Sequence, residues 1–227
     1  MKINKNILFL GRSRDGYSKK VYNYLKKKFS KVKVIWVFKP NQKILIKKLS
    51  KKIDILISFR NYLIIKKDVL KNIKLFSINF HPGTPKYRGF GCANYAIYNE
   101  EKFYGVTAHL INSKIDNGKI LDVKKFKLKK EYNLNKLLNI THKNQVYHLK
   151  DIIQKLQKSN FNIKNFQKKY PCNYQWSKNL GTKKKLNKFY RIDKNLNKRK
   201  FNLKLKATYY KKFKPYITIH GKKFTNL

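Results

Sequence analysis

The chain is poor in acidic residues, in cysteine and in long apolar runs. It has ten Asp and Glu against 57 Lys and Arg, two cysteines and five histidines in 227 residues. The two cysteines, Cys92 and Cys172, form no CxxC and no His/Cys cluster. That argues against a disulfide framework and against a structural zinc site. The apolar run in the opening "MKINKNILFLGRSRDG" is about five residues long. This is too short for a signal peptide or a membrane span. It reads as a first buried strand, and no membrane partner is expected. The cytoplasm is the expected compartment. Asn139 heads an Asn-Ile-Thr sequon that carries no meaning there.

Hydrophobic residues make up 41% and aromatics 15%, so a folded chain with a buried core is expected. The formal charge of +47 invites a polyanion as partner. The basic excess, however, runs along the whole length, and Asn, Ile, Phe and Tyr are abundant as well. All these residues have codons rich in A and T. Lysine filling tolerant surface positions is therefore favoured over dedicated nucleic-acid binding. Steering of a phosphate-bearing ligand follows either way.

Apolar runs at 6–11, 31–38, 54–59 and 74–80 read as buried strands. Between them, 16–29, 41–52 and 66–72 have helical spacing, with Val21, Tyr22, Leu25 and Phe29 on one face. Strands alternating with helices predict an α/β fold: a Rossmann-like, mostly parallel sheet with helices on both faces. Ligands are then expected outside the carboxyl ends of the strands, where loops 11–16, 59–65 and 80–91 fall. Residues 105–111 and 119–128 read as a hairpin-like strand pair. Residues 133–158 read as the longest helix, with Leu134, Leu137, Leu138, Val146, Leu149, Ile152, Ile153 and Leu156 as its apolar stripe. The domain reading is a main unit over 1–159 and a small lobe over 160–227. In the lobe, short strands and a Gly turn are expected within 206–224.

The chemistry concentrates in "SINFHPGTPKYRGFG" (77–91) and "IDNGKIL" (115–121). Asn79 and His81 are two apart, so on a strand they point the same way. Pro82 and Gly83 then end the strand. Asp116 lies thirty-five residues after His81, in a turn closed by Gly118. An amide, an imidazole and a carboxylate without a nucleophilic Ser or Cys suit an acyl transfer in which the substrate supplies the nucleophile. Asn79 and a protonated His81 would stabilise the developing oxyanion. Asp116 would orient the ring and favour its charged form. His81 or ordered water would move the proton. The bland alternative has Asn79 and Asp116 capping turns and His81 merely structural. Cys92 reads as a small packing residue. Tyr170, Tyr174 and Trp176 read as packing by default.

The ordered set "INFHPGTPKYRG", "AIYNEEKFYGVTAHLI" and "IDNGKIL" resembles the formyltransferases that use N10-formyltetrahydrofolate. The resemblance covers residues 54–128 well and the first fifty by architecture only. It implies catalytic roles for Asn79, His81 and Asp116. It implies a folate pocket on loop 58–65 and on the backbone before Asp116, with Arg60, Asn61, Tyr62, Ile64, Ile115 and Asp116 as contacts. Arg12, Arg88 and His109 are the expected substrate contacts, and no metal is implied. The first loop, "GRSRDGYS", departs from the glycinamide ribonucleotide enzymes. The tail of about seventy residues departs from the barrel domain of methionyl-tRNA formyltransferases. "HPGTPKYRGFGCANYAI" and the closing "ITIHGKKF" are similar to sugar N-formyltransferases. The implied acceptor is a primary amine on a deoxysugar linked to thymidine or uridine diphosphate. A homodimer is an open expectation. The alternatives are a methionyl-tRNA formyltransferase-like enzyme, a formyltetrahydrofolate hydrolase, and a basic nucleic-acid-binding protein on an inactive scaffold.

Overall fold

A computed structural model describes residues 1–39, 52–61, 63–210 and 213–225. Its centre is a six-stranded sheet in the order β2-β1-β3-β4-β6-β7. The strands are β1 (Ile3–Arg12), β2 (Phe29–Val37), β3 (Ile53–Phe59), β4 (Ile73–His81), β6 (Phe103–Leu110) and β7 (Ile120–Lys127); the two-residue β5 (Arg88–Gly89) lies outside this sheet. The first four run parallel, while β6 and β7 turn antiparallel, as the hairpin-like reading expected.

The parallel half follows from its apolar runs. Ile7, Leu8, Phe9 and Leu10 of β1 are all fully buried. Successive side chains alternate faces, so both faces must be covered. Ile7 and Phe9 join one core cluster and Leu8 and Leu10 the other. The first face is covered by α1 (Gly16–Lys28) and α4 (Leu134–Gln157). Asp15 caps α1 by accepting from Ser18 N at 2.8 Å, and Asn133 caps α4 by accepting from Lys136 N at 2.9 Å. Each cap satisfies a helix-end N–H that lacks an internal partner. Leu149, Ile152, Ile153 and Leu156 carry the α4 stripe into the core, each contributing about 1.5–3 kcal/mol of burial. Leu138 departs from that stripe and is half-buried in a third cluster. On the second face lies the short α2 (Lys67–Leu70), with Val69 buried against the sheet. The helix expected over 41–52 lies outside the described residues.

A helix the sequence reading did not expect, α3 (Cys92–Tyr98), follows the Pro/Gly loop. It is only seven residues long, too short for a periodic signal. The chain after α4 forms α5 (Ile163–Lys169), β8 (Leu180–Gly181), α6 (Lys183–Phe189), α7 (Lys198–Thr208), β9 (Ile217–Ile219) and β10 (Lys222–Phe224). The strands expected in 206–224 shrink to β9 and β10 around Gly221, because 206–208 complete α7. Phe161 and Phe166 are buried in the main core. The sheet is thus covered by chain from both sides of the expected 159/160 boundary. No helix among the described residues is long and apolar enough to cross a membrane.

Candidate active site

Asn79 and His81 sit at the carboxyl end of β4, facing away from Ile78 and Phe80, which enter the first core cluster. Asn79 pairs in register with His109 on β6 and with Ser58 on β3. Three strands therefore deliver three polar side chains side by side. The turn after β6 brings in Asp116, with φ +40°. That left-handed backbone costs a non-glycine residue about 1 kcal/mol. Two residues on, a Cβ at Gly118 would overlap the Leu110 carbonyl oxygen, so only glycine lets the turn pass.

The side chains converge. His81 Nδ1 lies 3.1 Å from Asp116 Oδ2, and His109 Nε2 lies 3.4 Å from Asp116 Oδ1. Gly89 N donates to Asp116 Oδ2 at 2.9 Å. Asn79 Nδ2 lies 3.1 Å from His109 Nε2. His81 and His109 are 2% and 3% exposed, so these charges act in a medium that screens weakly. Burial alone would push the Asp116 carboxyl up. The His81 charge, with bonds from His109 and His81, outweighs burial and holds it well below the usual carboxylate range. Burial also disfavours a charged His81. The Asp116 carboxylate, then Cys92, outweigh it and hold the ring well above its ordinary value. His81 Nε2 lies 2.7 Å from the Tyr87 carbonyl oxygen. Both ring nitrogens of His81 thus meet acceptors, which is the environment of an imidazolium.

Cys92 Sγ lies 3.5 Å from His81 Nε2 and within 3.2 Å of the Tyr87 and Gly89 carbonyls. It is 6% exposed, on the far side of the ring from Asp116. A Cβ at Gly83 would stand 2.7 Å from His81 Nε2, so this glycine lets the loop close against the ring. Trp176 meets both His81 and His109 edge-on, with centroids 5.5 and 5.0 Å away, and donates Nε1–H to Gly118 O at 2.7 Å. It therefore packs on the site itself. Tyr170 packs against Phe166, and Tyr174 is exposed beneath Lys125.

The other expected contacts divide. Arg88 directs Nε to Asp116 O at 2.7 Å, one terminal nitrogen to Ile115 O at 2.9 Å and the other to Ser177 O at 3.0 Å. It braces the Asp116 turn against the C-terminal segment. Arg60 pairs with Asp15 at 3.1 Å and lies over the Tyr17 ring, so its charge is partly answered inside the protein. Arg12 Nε donates to Arg60 O at 3.1 Å. Asn61 turns inward and donates Nδ2–H to Ser58 Oγ. Ile64 and Ile115 are 64% and 38% exposed, and Ile115 directly precedes Asp116. Tyr62 lies outside the described residues. Among those described, no group of His, Cys, Asp and Glu is arranged to hold a metal ion. Sequence reading put Ser58 at the start of the expected 58–65 loop without a role of its own, and missed the Tyr87 carbonyl. The hydroxyl ends an apolar strand, and the carbonyl has no side-chain signature.

The fold recurs in solved structures. A 4-N formyltransferase from Francisella tularensis superimposes with a TM-score of 0.77 at 19% identity, covering 97% of this chain and 96% of that one. A sugar N-formyltransferase from Shewanella sp FDAARGOS_354 gives 0.75 at 16%, covering 97% and 96%. The N-formyltransferase from Helicobacter canadensis, solved with folinic acid and dTDP-3-aminofucose, gives 0.71 at 19%, covering 97% and 86%. At these identities the likeness is one of fold. Among curated proteins, the bifunctional polymyxin resistance protein ArnA of Wigglesworthia glossinidia brevipalpis is 37% identical over 109 residues, 41% of this chain and 17% of that protein. A methionyl-tRNA formyltransferase of Finegoldia magna is 39% identical over 75 residues, 33% of this chain and 24% of that protein. The matched segment is therefore a quarter or less of these relatives' length. The family model for formyl transferases matches residues 38–153, half of the chain and the whole Asn79, His81, His109 and Asp116 cluster, and the chain belongs to that family.

Proposed function

We propose that this protein transfers a formyl group from N10-formyltetrahydrofolate to the primary amine of a nucleotide-linked amino deoxysugar. The observation that carries the reading is the convergence of Asn79, His81, His109 and Asp116 at one strand end. The residues present fit a folate. The exposed Ile64 and Ile115 offer an apolar surface for a flat ring, and Asn79 has a second amide hydrogen with no partner among the described residues. When bound, the folate would supply an activated formyl carbon to which the acceptor nitrogen adds, placing charge on the formyl oxygen before the bond to N10 breaks.

The chain's own groups answer the charge and the proton that this exchange moves. Asn79 contributes an N–H donor to the oxygen on which charge develops. Such donors act strongly where water is excluded. His81 contributes a positive charge fixed beside it, kept in place by Asp116 and the Tyr87 carbonyl. Both N–H groups of His81 are already engaged, so in this reading it stabilises charge and keeps its proton, and ordered water carries the proton lost by the acceptor nitrogen to the departing N10. Arg12 and Arg60, near the carboxyl ends of β1 and β3, favour a pyrophosphate nearby. The net charge of +47 would raise the on-rate of such an anion.

A methionyl-tRNA acceptor is the second reading, favoured by the identity to the Finegoldia magna enzyme. The deciding assay offers N10-formyltetrahydrofolate with thymidine- and uridine-diphosphate 3-amino and 4-amino deoxysugars, or with methionyl-tRNA, and follows tetrahydrofolate release. Release only with an amino sugar is expected. Release only with methionyl-tRNA would select the second reading. No release with any acceptor would overturn both.

A further inference from the structure

We propose that Ser58 and Asn61 are positioning residues that fix which end of the Asn79 amide faces the reaction centre. The inference rests on the formyl-transfer reading above. An amide presents oxygen at one end and a pair of N–H groups at the other, in nearly the same shape. Only hydrogen bonds decide between the two orientations. For Asn79 the wrong orientation would place a carbonyl where a donor is needed.

The bonds around Asn79 form one directed chain. Leu63 N donates to Asn61 Oδ1 at 2.6 Å. Asn61 Nδ2 donates to Ser58 Oγ. The Ser58 hydroxyl donates to Asn79 Oδ1 at 2.7 Å. Asn79 Nδ2 meets His109 Nε2 at 3.1 Å, and His109 Nδ1 meets the Leu110 carbonyl oxygen at 2.8 Å. Both ends of this chain are backbone groups with fixed roles. A backbone N–H can only donate, and a carbonyl oxygen can only accept.

Each step then follows. The Leu63 N–H requires the Asn61 oxygen, which turns the Asn61 N–H groups towards Ser58. Ser58 receives that donor and has its own proton left for Asn79 Oδ1. At the other end, the Leu110 carbonyl takes the His109 Nδ1 proton. His109 Nε2 faces both the Asn79 amide at 3.1 Å and the Asp116 carboxylate at 3.4 Å, so this end does not by itself choose the orientation of the amide. The orientation is therefore set from the Leu63 end, through Asn61 and Ser58. Ser58 is 4% exposed, so water does not readily replace it. The contact expected between Asn61 and a cofactor becomes, in this geometry, a contact to Ser58.

The test uses the whole protein and five forms: wild type, S58A, S58T, N79A and S58A/N79A. With N10-formyltetrahydrofolate and the acceptor that wild type accepts, S58A should lower kcat about tenfold or more. KM for both substrates should stay within about twofold, since the donor matters along the reaction path. S58T keeps the hydroxyl and should stay within about threefold of wild type. The double variant should be no slower than N79A, because Ser58 acts through Asn79. A second readout needs no substrate. The Asn79 side-chain NH2 signals, identified by their loss in N79A, should shift and exchange faster with solvent in S58A. An active wild type with N79A impaired and S58A unchanged would overturn the inference and leave the functional reading standing. A full additional loss in the double variant would overturn it too, as would NH2 signals untouched by S58A. A wild type inactive with every acceptor would overturn the functional reading before any variant is compared.

Discussion

In the sheet, Ile7, Leu8, Phe9 and Leu10 are fully buried, and Ile55, Ile57 and Ile78 beside them are as well. In α6 no side chain is buried, and β10 is exposed throughout. Beyond the buried Phe161, Phe166, Ile192 and Ala207, the C-terminal segment is held largely by lysines over aromatic rings and by single hydrogen bonds. Lys204 Nζ lies 3.6 Å from the Phe189 centroid and Lys223 Nζ 3.9 Å from that of Tyr216. Asn94 Nδ2 donates to Ala207 O at 2.7 Å. A cation–π contact contributes about 0.5–2 kcal/mol, whereas a fully buried Ile or Phe contributes about 1.5–3 kcal/mol. The sheet is thus the stiffer region and the C-terminal segment the softer. The candidate site lies where they meet. The sheet positions Asn79, His81 and His109, while the segment supplies Trp176 and the Ser177 carbonyl that steadies Arg88.

The largest expected effect comes from the sheet side. Asp116→Asn removes the charge that faces His81 and His109 while keeping the shape. Turnover should fall by about two to three orders of magnitude, the usual loss for one electrostatic partner of a reaction centre. The same variant has a pH signature in stability. Asp116 has a depressed folded pKa, so its contribution is present above the ordinary 3.8 and is lost as pH falls through the folded value. His81 has a raised folded pKa, so its contribution is present below the ordinary 6.5 and is lost as pH rises through the folded value. Both contributions are therefore present together between 3.8 and 6.5. Thermal unfolding should separate wild type from Asp116→Asn most widely in that window, with the gap narrowing on either side. A gap independent of pH would mean that the pair does not carry the charge argued here.

A smaller effect is expected from the softer side. Trp176→Ala removes two edge-on ring contacts and the bond to Gly118 O. Each ring contact contributes about 0.5–1.5 kcal/mol, so kcat/KM should fall by about one order of magnitude. Trp176→Phe keeps a ring and loses only the bond, and should fall in between. Denaturant unfolding should show the main transition little changed in both, because the sheet core lies elsewhere. A large loss of global stability would place Trp176 in the stiff region and blur the contrast.

The smallest effect is expected at Cys92. Cys92→Ser retains a donor for the Tyr87 and Gly89 carbonyls, and no acyl-enzyme is part of the proposal. Turnover within about threefold of wild type is expected, less than 0.7 kcal/mol. Abolished transfer by Cys92→Ser, together with an active His81→Ala, would replace direct attack by a covalent route.

Sequence alone determined the parts that rest on short-range pattern. Apolar runs marked the four parallel strands, near-continuous in β1 and β3, which are covered on both faces, and alternating with lysine in the edge strand β2. Period-two geometry placed Asn79 and His81 on one side of β4. Helical period bounded α4 within one residue at each end. Only the tertiary structure decided what depends on chain segments far apart. It set Ser58 beside Asn79 through strand register, and it placed Trp176 over His81. It also made Arg88 a brace for three carbonyls, at Asp116, Ile115 and Ser177. The reason is physical. Backbone carbonyls take part in the site at Tyr87, Leu110, Ile115 and Asp116. Every residue carries such a group, so its use leaves no mark in the sequence.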